Sequence, residues 1–345
     1  LMNPPQRPYT VAVLGATGAV GREILKVLDE HRFPVGDLRA LASERSVGEE
    51  VMFGNRPIKV ALAEPNAFEG VDLVLASAGG AVSRKLLPEA VKRGAVCIDN
   101  SSAFRMDADV PLVVPEVNPE AVAGHKGIIA NPNCSTIQMV VALKPLHDEA
   151  RIKRVVVSTY QSVSGAGKKG IDELSAQTVA LLNLRPYDVK VHAARIAFNC
   201  VPQIGPFAED DYTEEELKLV YETRKIFDEP ELRINPTAVR VPVFAGHSES
   251  INIEFERPLT AARAREVLGK FQGVTLIDNP ANNKYPMAMD CAERDDVLVG
   301  RVRRDPSIDN GISLWVVADN LRKGAATNAV QIAKLLDAWW NAASA

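Results

Sequence analysis

Cysteine is scarce and scattered in this chain. The four, Cys97, Cys134, Cys200 and Cys291, are spread through 345 residues, and none forms a Cys-x-x-Cys pair or a zinc-ligand spacing. No disulfide framework and no metal are expected at that density; the thiols read as free, in a reducing compartment. An excess of one charge is equally lacking. Forty Lys and Arg stand against 44 Asp and Glu, a net charge of -4, which offers no basic surface to nucleic acid. No apolar run approaches the roughly 20 residues that cross a bilayer. The polar, Pro-rich start of the chain lacks the charged segment and apolar stretch of a secretory signal. These absences set the expectation of a cytoplasmic protein whose partners include neither nucleic acid nor membrane. What is present is the mix of a folded chain, 46% hydrophobic and 24% charged, at a length that calls for two domains.

The early chain alternates short apolar runs with helical spacings. Strands are expected at 10–15, 38–43, 71–76, 95–99 and 127–130, with helices at 21–30 and 83–93. That alternation predicts a parallel sheet with helices on both faces, an α/β domain of Rossmann type. After Cys134 a helix runs to about His147, and then the pattern changes. Extended β-branched runs at 153–160, 238–244, 249–255, 297–304 and 314–317 alternate with helices at 169–183, 213–227 and 260–271. This is an α+β arrangement, a mixed sheet with helices on one face. A last helix is expected at 323–340.

Gly15-Ala16-Thr17-Gly18-Ala19-Val20-Gly21 joins the first strand directly to the first helix. Small residues let the backbone approach a pyrophosphate, and the helix N-terminus supplies N–H donors and the positive end of a dipole. The strand before and the helix after give the motif its weight as a dinucleotide site. The second strand ends at Ala42-Ser43-Glu44-Arg45-Ser46, where a Rossmann unit meets the adenosine ribose. An acid there accepts the 2′-hydroxyl of NAD, and Glu44 is one; Arg45 between two hydroxyls suits the 2′-phosphate of NADP, which is the reading preferred. Ser77-Ala78-Gly79-Gly80 follows another strand at the same edge.

Asn131-Pro132-Asn133-Cys134 leads into a helix expected to begin near Ser135. A cysteine so placed sits beside unsatisfied N–H groups that favour the thiolate, the form that attacks a carbonyl. Cys97 lies inside an apolar strand and reads as core, and Cys200 and Cys291 have no such setting. An acid/base partner is wanted, and histidine is the usual one. Among His31, His125, His147, His192 and His247 the spacing makes no choice, although His247 is expected on a loop between two strands, where functional residues concentrate.

These motifs resemble those of the aspartate-semialdehyde dehydrogenase family. The matching stretches are GATGAVG (15–21), ASERS (42–46), SAGG (77–80), DNSSAFRMD (99–107), NPNCSTIQ (131–138), STYQSVSGAG (158–167), VPQIG (201–205), EEELKLVYETRKI (214–226), RVPVFAGHSES (240–250) and DNLRKGAATNAVQIA (319–333). They run in order through nearly the whole chain, in the shorter-chain branch with the GATGAVG loop; Ala288 stands where that branch would have a second proline. The resemblance implies a nucleotide domain over 1–132, a catalytic and dimerisation domain over 133–318, and a segment over 319–345 that returns to the first. It makes Cys134 the nucleophile and His247 the general acid/base, with Gln161 orienting the acyl intermediate. Arg105 and Lys218 would hold phosphate with Asn133 nearby, Arg240 the substrate carboxylate and Glu215 its ammonium. Gly15, Thr17, Gly18, Ala19, Val20, Ser43, Arg45, Ser46, Ser77, Ala78, Gly79, Ser164, Gly165 and Asn320 would meet NADP. Glu215 and Lys218, three apart on a helix, share a face. Arg240 is expected in an alternating strand, facing opposite to Val239, Val241 and Val243, and its planar fork suits a carboxylate.

The chemistry so implied is reductive dephosphorylation of β-aspartyl phosphate through a Cys134 thioester, by a homodimer or homotetramer. A reductase of N-acetylglutamyl phosphate is the nearest alternative, but its substrate has no free ammonium for a Glu–Arg pair to read. A malonyl-thioester reductase is a further one. A non-catalytic NADP-binding protein would have no use for the set Cys134, Gln161, Arg240 and His247.

Overall fold

The structure, a computed structural model, describes residues 7–344; the polar, Pro-rich start at 1–6 lies outside them. The chain divides into two units, one of the residues up to Asn133 together with those from Ala325, the other Cys134–Gly324. The chain thus re-enters the first unit at Ala325 rather than at 319.

The first unit contains strands β1 (Tyr9–Leu14), β2 (Val35–Ala42), β3 (Glu50–Phe53), β4 (Arg56–Leu62), β5 (Leu73–Ala76), β6 (Val96–Asp99) and β7 (Ile128–Ala130), with helices α1 (Ala19–Glu30) and α2 (Gly80–Lys92). They form one sheet in the order β3-β4-β2-β1-β5-β6-β7, parallel except for the antiparallel β3–β4 pair. Central strands of such a sheet are apolar on both faces because helices cover both. Val11 and Val13 of β1 pack with Ile24, Leu25 and Leu28 of α1, and with Val330, Ala333 and Leu336 of the last helix. Ala12 and Leu14 point the other way, to Phe68 and to Leu86 and Leu87 of α2. The β3–β4 hairpin is not among the expected strands. Its two-residue Gly54-Asn55 turn, with Gly54 at φ +54°, is its only strong local signal.

The second unit contains α3 (Cys134–Ala150), β8 (Ile152–Gln161), α4 (Lys168–Leu182), α5 (Glu214–Phe227), β9 (Arg233–Arg240), β10 (His247–Phe255), α6 (Ala261–Lys270), β11 (Val274–Leu276), β12 (Val297–Asp305) and β13 (Gly311–Ala318). The mixed sheet has the order β11-β12-β13-β10-β8-β9. Its inner face carries Val155, Val157 and Thr159 of β8, Glu249, Ile251 and Ile253 of β10, and Leu314 and Val316 of β13, all buried. α3 lies across these strands, flanked by α5 over β9 and α6 over β11 and β12. The opposite face is more open, with Tyr160 exposed and Ser158, Ser250 and Trp315 half-buried.

Three expectations are corrected here. The strand placed at 238–244 is β9, ending at Arg240, because Pro242 has no N–H with which to continue a ladder. Pro236 inside β9 is tolerated because β9 is an edge strand. His247 is not on a loop but is the first residue of β10. The helix expected from 323 begins with a π-helical turn, Arg322–Ala326, and α7 proper is Thr327–Ser344.

Candidate active site

The second unit gathers its reactive groups at one end of its sheet. β8 and β9 are parallel and finish in register at Gln161 and Arg240. β10 runs antiparallel to β8 and begins at His247, one residue before the Ser248–Tyr160 pair. α3 crosses the same face with Cys134 as its first residue. Strand direction and helix polarity therefore bring Cys134, Gln161, Arg240 and His247 to one place, although 113 residues (247 − 134) separate the outer two. Electrostatic contacts link them: Arg240 feels Glu215 and Cys134, and His247 feels Arg240 and Glu215.

Cys134 is partly exposed, at the N-terminus of a 17-residue helix whose leading N–H groups favour negative charge on sulfur. The helix thus starts one residue before the expected Ser135. The loop after β13 closes against the nucleophile at Gly324, where a side-chain Cβ would stand 2.7 Å from the Cys134 Cβ. The other thiols have different surroundings. Burial pushes the Cys97 thiol far up, with Asp99 adding to the effect. Burial, with Asp319, pushes Cys291 up to about 12. Cys200 is exposed.

His247 is fully buried. Its Nδ1 lies 3.1 Å from the Ser162 backbone N–H and 3.1 Å from Ser162 Oγ. A backbone N–H can only donate, so Nδ1 accepts and the neutral ring carries its proton on Nε2. Nε2 is buried with no protein partner. Burial first, then the Arg240 charge, lowers the His247 pKa to about 3, against weaker opposition from Glu215. Asn320 holds the surrounding loops: its Oδ1 accepts from Ser162 Oγ, Ser164 Oγ and Gly246 N–H, each at 3.1 Å. Ser164, Gly165 and Asn320, expected among the cofactor residues, thus surround the histidine. Ser162 and its hold on the ring were not read from sequence; a serine one residue beyond a strand carries no signal of its own.

Arg240 is buried and donates from Nη1 to the Ser162 carbonyl at 2.7 Å. Gln161 Nε2 donates to Glu215 Oε1 at 3.2 Å. The other Glu215 oxygen takes Lys218 Nζ at 3.1 Å, the pairing that the spacing of three predicts. Gly165 leaves the approach to these groups open, since a Cβ there would lie 2.8 Å from Arg240 Nη1 and 3.4 Å from His247 Nε2.

In the first unit, Arg105 and Asn133 are buried, and the Arg105 guanidinium is fixed by the carbonyls of Asn131 and Asn100 at 2.9 and 2.8 Å. β1 lies between β2 and β5, the point at which such sheets open a crevice at their C-terminal ends. Gly15 is at φ +85°, and a Cβ on it would meet the Ser77 backbone at 2.9 Å. Gly18 caps α1 and Gly79 caps α2 with no side chain satisfying either helix's first N–H groups. Nothing stands within 4 Å of where a Gly79 Cβ would be. Thr17 Oγ1 lies 3.4 Å from Ser46 Oγ, so the glycine loop that runs on through Gly18 to Ala19 and Val20 of α1 meets the turn after β2 at Thr17. Ser43 and Arg45 are exposed, and Ala78 lies beside Ser77 in the same turn. Two uncapped helix starts beside a glycine cradle fit the pyrophosphate of a dinucleotide. Among the described residues no cluster of three or more His, Cys, Asp or Glu is placed to hold a metal ion.

A Rossmann-type unit joined to a mixed-sheet unit with a helix-terminal cysteine and a buried histidine defines a dinucleotide-dependent oxidoreductase. Residues 10–125 match the family described as "Semialdehyde dehydrogenase, NAD binding domain", and residues 143–323 match "Semialdehyde dehydrogenase, dimerisation domain". The aspartate-semialdehyde dehydrogenase of Aquifex aeolicus is 57% identical over 332 residues, 95% of this chain and 98% of that one. The crystal structure of aspartate semialdehyde dehydrogenase II from Vibrio cholerae, complexed with ASA, superposes with a TM-score of 0.93 at 52% identity, covering 96% of this chain and 98% of that one. The enzyme of Candida albicans with NADP is more distant, with a TM-score of 0.73 and 26% identity over 95% and 98% of the two chains. The chain belongs to the aspartate-semialdehyde dehydrogenase family.

Proposed function

We propose that the protein reduces L-4-aspartyl phosphate to L-aspartate 4-semialdehyde and phosphate, reversibly, with NADPH, as a step in the aspartate route to lysine, threonine, methionine and isoleucine. The observation that carries this reading is the convergence of Cys134, Arg240 and the unpartnered Nε2 of His247 at one end of the second sheet. Cys134 Sγ, held as thiolate by the α3 terminus and the Arg240 charge, attacks the acyl carbon. The phosphate oxygen leaves with its electron pair, and a thioester remains. Gln161 orients that acyl group, and His247 Nε2–H donates to the oxygen on which negative charge develops. NADPH, when bound, supplies hydride to the thioester carbon. Collapse of the resulting thiohemiacetal returns the electron pair to Cys134 Sγ and frees the aldehyde.

Arg240 pairs with the substrate carboxylate and Glu215 with its ammonium, displacing the Lys218 amine toward phosphate, where Arg105 and Asn133 also act. The glycine cradle of Gly15 and Gly18 with Ser77 to Gly79 binds the dinucleotide, and Ser43, Arg45 and Ser46 its 2′-phosphate. The nicotinamide side falls to Ser164, Gly165 and Asn320. The Candida albicans relative was solved with NADP, which supports this choice; Arg45 also takes no ion-pair partner among the described residues. The match to a dimerisation domain supports a homodimer or homotetramer. Among the described residues no helix is long and apolar enough to cross a membrane, in keeping with a cytoplasmic site of action.

The test is reduction of NADP by the purified protein given phosphate and aspartate semialdehyde, compared with NAD and with the N-acetylated five-carbon semialdehyde. Phosphate-dependent NADPH formation with the aspartate compound is expected. Preference for the N-acetylated compound would overturn the substrate, and an NAD preference unchanged by Arg45→Ala would overturn the cofactor.

A further inference from the structure

Glu249 is a buried carboxyl that the reaction above does not use. It lies on the inner face of β10 between Thr159 of β8 and Val316 of β13, fully enclosed. Neither of its oxygens has a hydrogen-bond partner of good geometry, and no cation pairs with it among the described residues. The neighbour that touches it electrostatically is Gln138, also fully buried, whose Oε1 is likewise without a partner. A buried carboxylate with no cation is costly. A fully enclosed carboxyl with no cation and no well-formed hydrogen bond is accounted for by one proton.

Both neighbours touch the active site. Gln138 is one helical turn beyond Cys134, and its Nε2 reaches the His247 carbonyl at 3.5 Å. Thr159, the cross-strand partner of Glu249, accepts from Gln161 Nε2 at 3.3 Å. We infer that Glu249 is an uncharged carboxylic acid that bridges Gln138 and Thr159 and, through them, positions His247 and Gln161. Neither Glu249 contact is within hydrogen-bond geometry as the side chains stand, and small rotations of Glu249 and Gln138 close the chain. Gln161 N–H donates to Thr159 and Thr159 O–H to the Glu249 carbonyl. Glu249 O–H donates to Gln138 Oε1, and Gln138 N–H to the His247 carbonyl. Burial also pushes the carboxyl well above the usual carboxylate range, only partly opposed by Gln138. Glu249 is a positioning residue, and its effect on turnover rests on the roles proposed for His247 and Gln161; its protonation does not.

Two readings separate these parts. Infrared difference spectra of wild type against Glu249→Gln, at mildly alkaline pH, should show the carbonyl stretch of a protonated carboxylic acid lost in the variant. Absence of that band would overturn the inference whatever the catalytic roles are. In turnover, Glu249→Gln keeps a donor and an acceptor in place, so kcat should stay within about threefold of wild type. Glu249→Leu and Gln138→Leu should each lower kcat by about tenfold or more with KM little changed, and the double variant should be no worse than either, because both break one chain. A folded Glu249→Leu enzyme with wild-type kcat would overturn the positioning role. Should that variant not fold, a Glu249→Gln kcat lowered tenfold or more would do so.

Discussion

The Ser162 backbone N–H points at Nδ1 of His247 from 3.1 Å, and this one bond fixes which ring nitrogen can act. The neutral ring must present Nε2–H to the site, because Nδ1 is already an acceptor. A protonated ring would set Nδ1–H against Ser162 N–H, and burial and Arg240 push in the same direction.

The imidazole should therefore be neutral in the free enzyme throughout the range in which ordinary histidines titrate, around 6.5. With its folded value lowered to about 3, the sign of the linkage is definite. The stability contributed by burying the neutral ring is present above about 6.5 and is lost as pH falls toward 3, at roughly 1.4 kcal/mol per pH unit. Imidazole NMR should show a His247 resonance that does not shift where exposed histidines do, and His247→Asn should lower kcat by roughly 10²–10⁴-fold. A normal titration, or near-normal turnover in the variant, would give the acid role to another group.

Substrate recognition is tested at Arg240 and Glu215. Arg240→Lys keeps charge but loses the fork, and should cost on the order of 1.5–3 kcal/mol in kcat/KM for one charge-assisted bond. Glu215→Gln should depress aspartate semialdehyde more than an analogue without the amino group. Equal losses on both substrates would mean that Glu215 does not read the ammonium and instead serves its protein neighbours, Gln161 and Lys218 among them.

Two glycines set the space around the reacting groups. Gly324→Ala would place a methyl 2.7 Å from Cys134 Cβ, so the loop or the nucleophile must shift; kcat should fall at least tenfold. Gly165→Ala presses on Arg240 Nη1 at 2.8 Å, the flexible end of its side chain, so KM should rise more than kcat falls. Wild-type kinetics in both would show that neither contact governs the site.

Much of this was legible in sequence because it is local. The glycine loop between β1 and α1 and the cysteine opening α3 are each written within a few residues of chain. β9 was displaced because its first half carries Pro236, tolerated only at an edge that a sequence does not display. The proton network around His247 was not legible, since Ser162, Asn320 and Glu249 matter through partners on other strands and loops. Only the antiparallel register of β8 and β10 places Thr159 opposite Glu249. The i, i+2 spacing of His247 and Glu249 was the signal present, and it gains meaning once both are known to face inward.

The central claim is a covalent acyl enzyme on Cys134. Enzyme mixed with aspartyl phosphate in the absence of nicotinamide cofactor, quenched in acid and digested, should yield by mass spectrometry an aspartyl adduct on the peptide containing Cys134, with release of phosphate and no adduct in Cys134→Ala. An unmodified Cys134 peptide in a turnover-competent sample, or an adduct on Cys97, Cys200 or Cys291, would contradict the account.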